Sequence, residues 1–319
     1  MSEQTLLQLR ELRAVVGPRE QPVHAVRGVS FTVRRGARLG IIGESGSGKS
    51  MTALSILRLL PPSGVIRGGK VLYDGRDLLR LPEPQMQRLR GREISLIFQN
   101  AAAALNPLFP VGEQIADVYR HHEGGSPRQA WERAVAMLDA MGIPDAPRRA
   151  RAYPHQYSGG MAQRAMIAMA LICSPRLLIA DEPTTGLDLT IQAQVLDLIQ
   201  EQVQRSGTSL VLISHDIAVI AEVCEEVVVM YAGEVVESGP LAEVLRNPIN
   251  PYTRALLDCF EPKEGRRLPY IAGRVPQLYQ EPKGCAFFNR CPQAREMCRE
   301  IHPPTVEVAP GHRVACHVV

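Results

Sequence analysis

The chain has 319 residues, room for one large α/β domain with an appendage. Hydrophobic content of 45% and charged content of 22% are those of an ordinary globular protein, and no apolar run approaches the ~18 residues that a bilayer span needs. A net charge of +3 gives no overall nucleic-acid footprint, and the polar start Met1-Ser2-Glu3-Gln4 has no signal-peptide pattern, so the chain is expected in the cytoplasm, with any membrane role supplied through a partner.

Residues Leu6 to Val16 and Val26 to Val33 read as strands, joined by the turn-forming run Gly17 to Pro22 into an antiparallel pair. Ala37 to Ile42 reads as a buried strand and Met51 to Leu60 as a helix. Between them Gly43-Glu44-Ser45-Gly46-Ser47-Gly48-Lys49-Ser50 fills G-x-x-x-x-G-K-[ST] at every fixed position, in the strand–loop–helix context the motif requires. The glycines let successive N–H groups point inward and the helix N-terminus adds partial positive charge, so the loop is suited to phosphates. Lys49 would reach the β- and γ-phosphates and the Ser50 hydroxyl would hold Mg²⁺, with Met51 completing the candidate ATP-contacting run.

Further on, Lys70 to Tyr73 with Asp74-Gly75 gives a strand and turn, and Ile94 to Phe98 a short strand that ends at Gln99. Arginine clusters at Arg88 to Arg92 and Arg148 to Arg151 lack interleaved aromatics and read as solvated faces. Ser126, Pro127 and Gln129 form a helix start with a capping box, Ala130 to Met141 recur at helical spacing, and Gly142 fits the C-cap. Leu177 to Ala180, running into Asp181-Glu182-Pro183, and Ser209 to Ile213, running into Ser214-His215-Asp216, read as central parallel strands, with Gln192 to Gln204 as a crossover helix. Ligands sit beyond the carboxyl ends of such strands, which is where the acids and the histidine fall.

Tyr157-Ser158-Gly159-Gly160-Met161 resembles the signature of the ATP-binding cassette (ABC) family. Taken alone, a Ser-Gly-Gly helix start is equally a cap. In order, however, the loop at 43–50, Gln99, Ser158-Gly159-Gly160, Asp181-Glu182, Gly186-Leu187-Asp188 and His215 match that family throughout. The resemblance implies a P-loop NTPase (RecA-like) core, an antiparallel β subdomain and a helical subdomain at about 100–172, all within an ATP-binding domain over 1–258. It also implies that Asp181 holds Mg²⁺, Glu182 polarises the attacking water, Gln99 senses Mg²⁺ and the γ-phosphate, and His215 contacts the γ-phosphate. Ser158, Gly159, Gly160, Met161 and Asp188 would belong to the nucleotide contacts of a head-to-tail cassette pair. Two departures stand out: Gly17 to His24 offers no adenine-stacking aromatic except His24, and Met161-Ala162 differs from the commonest signature.

The stretches Tyr153 to Met161, Ala180 to Asp188 and Asn250-Pro251-Tyr252-Thr253-Arg254-Ala255-Leu256-Leu257 are similar to those of the dipeptide/oligopeptide importer ATPases. That similarity implies an ATPase on the cytoplasmic face of the membrane, paired with a second, related ATPase under two transmembrane permease subunits that an extracytoplasmic solute-binding protein feeds. No nucleic-acid partner is expected. Other members of the subgroup carry nickel or other small solutes, and a soluble cassette ATPase acting on DNA or the ribosome is the rival class. Past residue 258 an extension carries Cys285, Cys291, Cys298 and Cys316, with gaps of five, six and seventeen residues. It resembles the tail of the D-type importer ATPases, which can hold a [4Fe–4S] cluster, and four thiolates meet that ligand count. Structural zinc, which commonly uses C-x₂₋₄-C knuckles absent here, and unliganded thiols are the alternatives. Cys173, Cys224 and Cys259 read as buried small hydrophobes, and His302, His312 and His317 carry no signal.

Overall fold

The computed structural model describes residues 5–99, 104–260 and 270–318, and the chain divides into two compact units, Met1–Arg80 with Leu212–Val319, and Leu81–Val211. The first unit opens with β1 (Thr5–Val16) and β2 (Val23–Arg34), the expected antiparallel pair, in which buried Leu7 faces Val33 and buried Leu12 faces Val29. Then come β3 (Arg38–Ile42), α1 (Lys49–Ile56), β4 (Val65–Tyr73) and β5 (Arg76–Asp77). Helix α1 stops short of the expected Leu60: Arg58 turns left-handed (φ 55°) and closes a Schellman motif, its N–H donating to Ser55 O at 3.1 Å and that of Leu59 to Leu54 O at 2.8 Å. Strand β4 begins before the expected Lys70 and pairs with β1 across a bulge at Gly69, where a Cβ would stand 2.4 Å from the Glu11 carbonyl oxygen.

The second unit contains α2 (Glu83–Leu89), β6 (Ile94–Ile97), α3 (Val111–Glu123), α4 (Pro127–Ala140), α5 (Ala146–Arg149), α6 (Gly159–Leu171), β7 (Leu177–Asp181) and α7 (Leu189–Ser206); the division falls within β8 (Ser209–Ile213). The expected capping box is present on α4: Gln129 N donates to Ser126 Oγ at 3.3 Å and Ser126 N donates to Gln129 Oε1 at 2.9 Å. Of the residues the spacing marks, Ala130, Ala134, Leu138 and Met141 are buried and Met137 is half-buried, and α3, α4 and α6 pack against one another. Strands β6 and β7 run parallel with Ile94 opposite Leu177, and every residue of β7 is buried. Helix α7 starts earlier than Gln192 because Asp188 caps it, accepting from Ile191 N at 3.0 Å.

The chain returns to the first unit with α8 (Ile217–Val223), β9 (Glu226–Tyr231), β10 (Glu234–Pro240), α9 (Leu241–Arg246), α10 (Pro251–Asp258), α11 (Met297–Glu300), β11 (Thr305–Ala309) and β12 (His312–Ala315). The strand order there is β11-β12-β10-β9-β3, parallel only between β9 and β3. The cysteine-bearing tail is therefore part of the sheet that carries β3. It is fastened by a buried node: fully buried Glu237 accepts from His312 Nε2 at 2.8 Å, Ile249 N at 2.9 Å and Asn250 N at 3.0 Å. His312, which carries no signal in the sequence, is a structural partner of that carboxylate.

Candidate nucleotide-binding and hydrolytic site

In the first unit β3 feeds directly into the phosphate loop. Gly43 and Gly48 are irreplaceable on steric grounds, since a Cβ would lie 2.2 Å from the Met230 carbonyl oxygen at Gly43 and 2.4 Å from that of Ala25 at Gly48. Buried Lys49 folds back over the loop and donates from Nζ to Gly43 O at 2.7 Å and Glu44 O at 3.1 Å, while Ser45 and Gly46 at the loop crest are exposed. Ser47 is buried and its carbonyl accepts from Gly233 N at 2.9 Å. His215 follows β8 and is exposed; Ser214 N just before it donates to Ile41 O at 3.2 Å, two residues ahead of the loop.

Sequence reasoning misses three residues that hold this loop. Tyr252 Oη accepts from Glu44 N at 2.8 Å, and Arg290 grips the Glu44 carboxylate with both guanidinium ends, at 2.7 and 2.9 Å. Arg290 also donates to Tyr231 Oη at 3.1 Å, and Tyr231, Tyr252 and Phe287 form one aromatic cluster with centroids 4.6 to 5.4 Å apart. Burial raises the phenol pKa of both tyrosines, and the Glu44 contact raises that of Arg290, so all three keep their protons. The sequence singles out Tyr252 only as part of a subgroup stretch, and Arg290 only within Arg290-Cys291-Pro292 of the tail that resembles those importers, with no role at the loop.

In the second unit Asp181 ends β7 almost fully buried, and Glu182 follows it in a left-handed backbone conformation (φ 48°) rare for a non-glycine residue. The Glu182 carboxylate accepts from Gln99 Nε2 at 2.8 Å and from Thr185 Oγ1 at 2.9 Å, so two of the expected residues meet. Ser158 caps α6, accepting from Met161 N at 3.3 Å. Ser158, Gly159, Gly160 and Met161 share a cavity of about 430 Å³ with Gly186 and Asp188, joining two motifs far apart in the chain. Gly160 allows α6 to approach α7, since a Cβ there would meet Ile191 Cγ2 at 2.8 Å.

His24 does not present a free ring: its Nδ1 pairs with Glu281 Oε1 at 3.0 Å and its backbone N donates to Leu278 O at 2.8 Å. Cys285, Cys291, Cys298 and Cys316 line one cavity of about 1410 Å³. Among the described residues, however, no group of three or more His, Cys, Asp or Glu side chains could hold a metal ion, so the expectation of an iron–sulfur site has no ligand group behind it as the thiols stand. Burial raises the Cys285 thiol to about 11, with the neighbouring Cys298, Cys291 and Cys316 adding to the rise. Cys224 is buried as expected, its thiol pushed up to about 12, but Cys173 and Cys259 are only partly covered.

A family description of the ABC transporter matches residues 26–185. The chain belongs to the ABC transporter ATPase family. A second description, the oligopeptide/dipeptide transporter C-terminal region, matches residues 236–298 of this ATPase. The ATPase is 45% identical to the oligopeptide transport ATP-binding protein OppD of Salmonella typhimurium, covering 98% of this chain and 93% of that protein. It is 44% identical to the dipeptide transport ATP-binding protein DppD of Haemophilus influenzae, covering 98% and 95%. Among solved structures, the post-hydrolysis dimer of the ATP-binding cassette MJ0796 bound to ADP and phosphate matches with TM-score 0.67 at 27% identity, over 74% of this chain and 99% of that one. The ATPase is thus an α/β ATP-hydrolysing transporter subunit, and no helix among the described residues is long and apolar enough to cross a membrane.

Proposed function

We propose that this ATPase powers the import of dipeptides or oligopeptides, with residues 1–258 as the hydrolytic domain and 259–319 as an importer-specific extension. The observation that carries this reading is the full-length similarity to OppD and DppD together with the match of the importer C-terminal region. The ATPase sits on the cytoplasmic face of the membrane, beside a second related ATPase and beneath two permease subunits that an extracytoplasmic binding protein feeds. Its test is co-purification from solubilised membranes followed by peptide uptake in vesicles rebuilt from the recovered subunits. Uptake of nickel alone, or recovery with DNA or ribosomes, would overturn it.

The residue roles follow the chemistry of phosphoryl transfer, which needs positioning and charge neutralisation rather than covalent help. Main-chain N–H groups within 43–51, that of Glu44 being held by Tyr252, and the Lys49 ammonium bind the phosphates of ATP. The oxygen donors Ser50, Gln99 and Asp181 suit a hard cation, and Mg²⁺ when bound neutralises charge on the β- and γ-phosphates. Glu182 orients and deprotonates the attacking water, held in aim by Gln99 and Thr185. His215 contacts the γ-phosphate, and Ser158, Gly159, Gly160, Met161 and Asp188 serve the partner cassette's nucleotide. A [4Fe–4S] cluster on Cys285, Cys291, Cys298 and Cys316 is the further part of the proposal. Its support is four thiols on one cavity, and its ligands must lose their protons and draw together. Iron and acid-labile sulfide counts on protein purified without oxygen test that part separately.

A further inference from the structure

We propose that Arg290 is a positioning residue for ATP binding: it holds the Glu44 carboxylate away from the nucleotide phosphates, through a contact made by the C-terminal tail. The proposal rests on the ATPase activity of the chain and not on the solute it moves.

Glu44 fills a position that the loop's motif leaves open, and it sets a carboxylate in a loop built to bind a triphosphate. Glu44 is the first residue after Gly43, and its own carbonyl already accepts from the Lys49 ammonium that the phosphates require. Left free, its negative charge would repel the incoming phosphates at short range, where the local dielectric is low. Arg290 closes off that option. Its guanidinium meets both carboxylate oxygens, at 2.7 and 2.9 Å, in the fork geometry that only arginine provides. The Arg290 side chain is 4% exposed, and it is fixed from behind by Ala272 O at 2.8 Å, Ile271 O at 3.2 Å and Tyr231 Oη. The main-chain end of Glu44 is held as well, since its N–H donates to Tyr252 Oη. Both ends of one loop residue are thus gripped by residues more than two hundred positions downstream. A purely structural ion pair has no need of a phosphate-loop residue as its acid, and this difference is what the experiment separates.

The experiment measures KM for ATP and kcat with the full-length chain as wild type, R290A, E44Q and R290A/E44Q. R290A is expected to raise KM about tenfold, equal to ~1.4 kcal/mol, with kcat changed far less. E44Q, measured beside wild type, sets the reference for the double variant, because it removes the carboxylate whose charge Arg290 is proposed to hold. R290A/E44Q should differ from E44Q in KM by less than about threefold, against the tenfold by which R290A differs from wild type. A double variant as impaired beside E44Q as R290A is beside wild type would show that Arg290 merely secures the tail, and an R290A with unchanged KM would show that Glu44 does not disturb ATP; either result overturns the proposal. If R290A does not fold, R290K, which keeps the charge and loses the fork, carries the same comparison against R290K/E44Q.

Discussion

Asn250 offers the sharpest test of how the tail is attached. Its side chain is buried and makes three hydrogen bonds: Oδ1 accepts from Tyr252 N at 2.9 Å, and Nδ2 donates to Ala315 O at 3.0 Å and Val236 O at 3.3 Å. Alanine removes an N-cap worth about 1 kcal/mol and strips two backbone carbonyls of a donor, at ~1 kcal/mol each. N250A should therefore lower the local opening free energy by roughly 3 kcal/mol, about a hundredfold in the exchange rates of the Tyr252 and β12 amides. N250D separates the two roles. Aspartate caps a helix as well as asparagine, yet it has no donor for Ala315 and Val236 and sets a second carboxylate beside Glu237, which already accepts from the backbone N of residue 250. N250D should be at least as damaging as N250A. Hydrogen exchange on both variants is the assay, and an N250D within ~0.5 kcal/mol of wild type would refute the reasoning, because capping alone would then explain the residue.

E182Q should cut ATP turnover by about two to four orders of magnitude while leaving ATP binding intact, measured by phosphate release and by equilibrium binding. Gly48→Ala should cost roughly 2 kcal/mol more than Gly46→Ala in denaturant midpoints, since both need φ above zero but only Gly48 abuts a carbonyl oxygen, at 2.4 Å. The His302 pKa is raised by its hydrogen bond to Glu234, so its stabilisation is full below its unfolded pKa of about 6.5 and is lost as pH rises through the higher folded value. The melting temperature of wild type should exceed that of H302Q at pH 6 and converge with it by pH 9; an equal gap at both would refute the assignment.

What could be seen in the sequence was local. The phosphate loop, the capping box at Ser126 and the strand ends at Asp181 and Ile213 are each set by residues within one turn or one strand of each other. The end of α1 is a left-handed turn at Arg58, a residue type that does not announce one. The bulge at Gly69 depends on Glu11, a partner strand away, and β11 has almost no buried face to announce it. The signature and Asp188 share a cavity only once α6 and α7 pack, with Gly160 against Ile191. The Glu44–Arg290 pair spans 246 residues and leaves no periodicity or spacing to read.

That long-range pair has a consequence by linkage. Suppose ATP binds the loop more tightly when Glu44 is held by Arg290 and Tyr252. The same free energy must then stabilise the tail when ATP is bound, because coupling between two sites is reciprocal. An effect of about tenfold on ATP affinity corresponds to about tenfold slower opening of the segment around Phe287 to Arg290 in saturating ATP. Hydrogen exchange at the Arg290 amide, which donates to Phe287 O at 2.9 Å, reads that opening directly, with and without ATP in the chain and in E44Q. Protection by ATP that persists undiminished in E44Q would place the coupling elsewhere. Its loss in E44Q would show that the tail and the phosphate loop communicate through this one carboxylate.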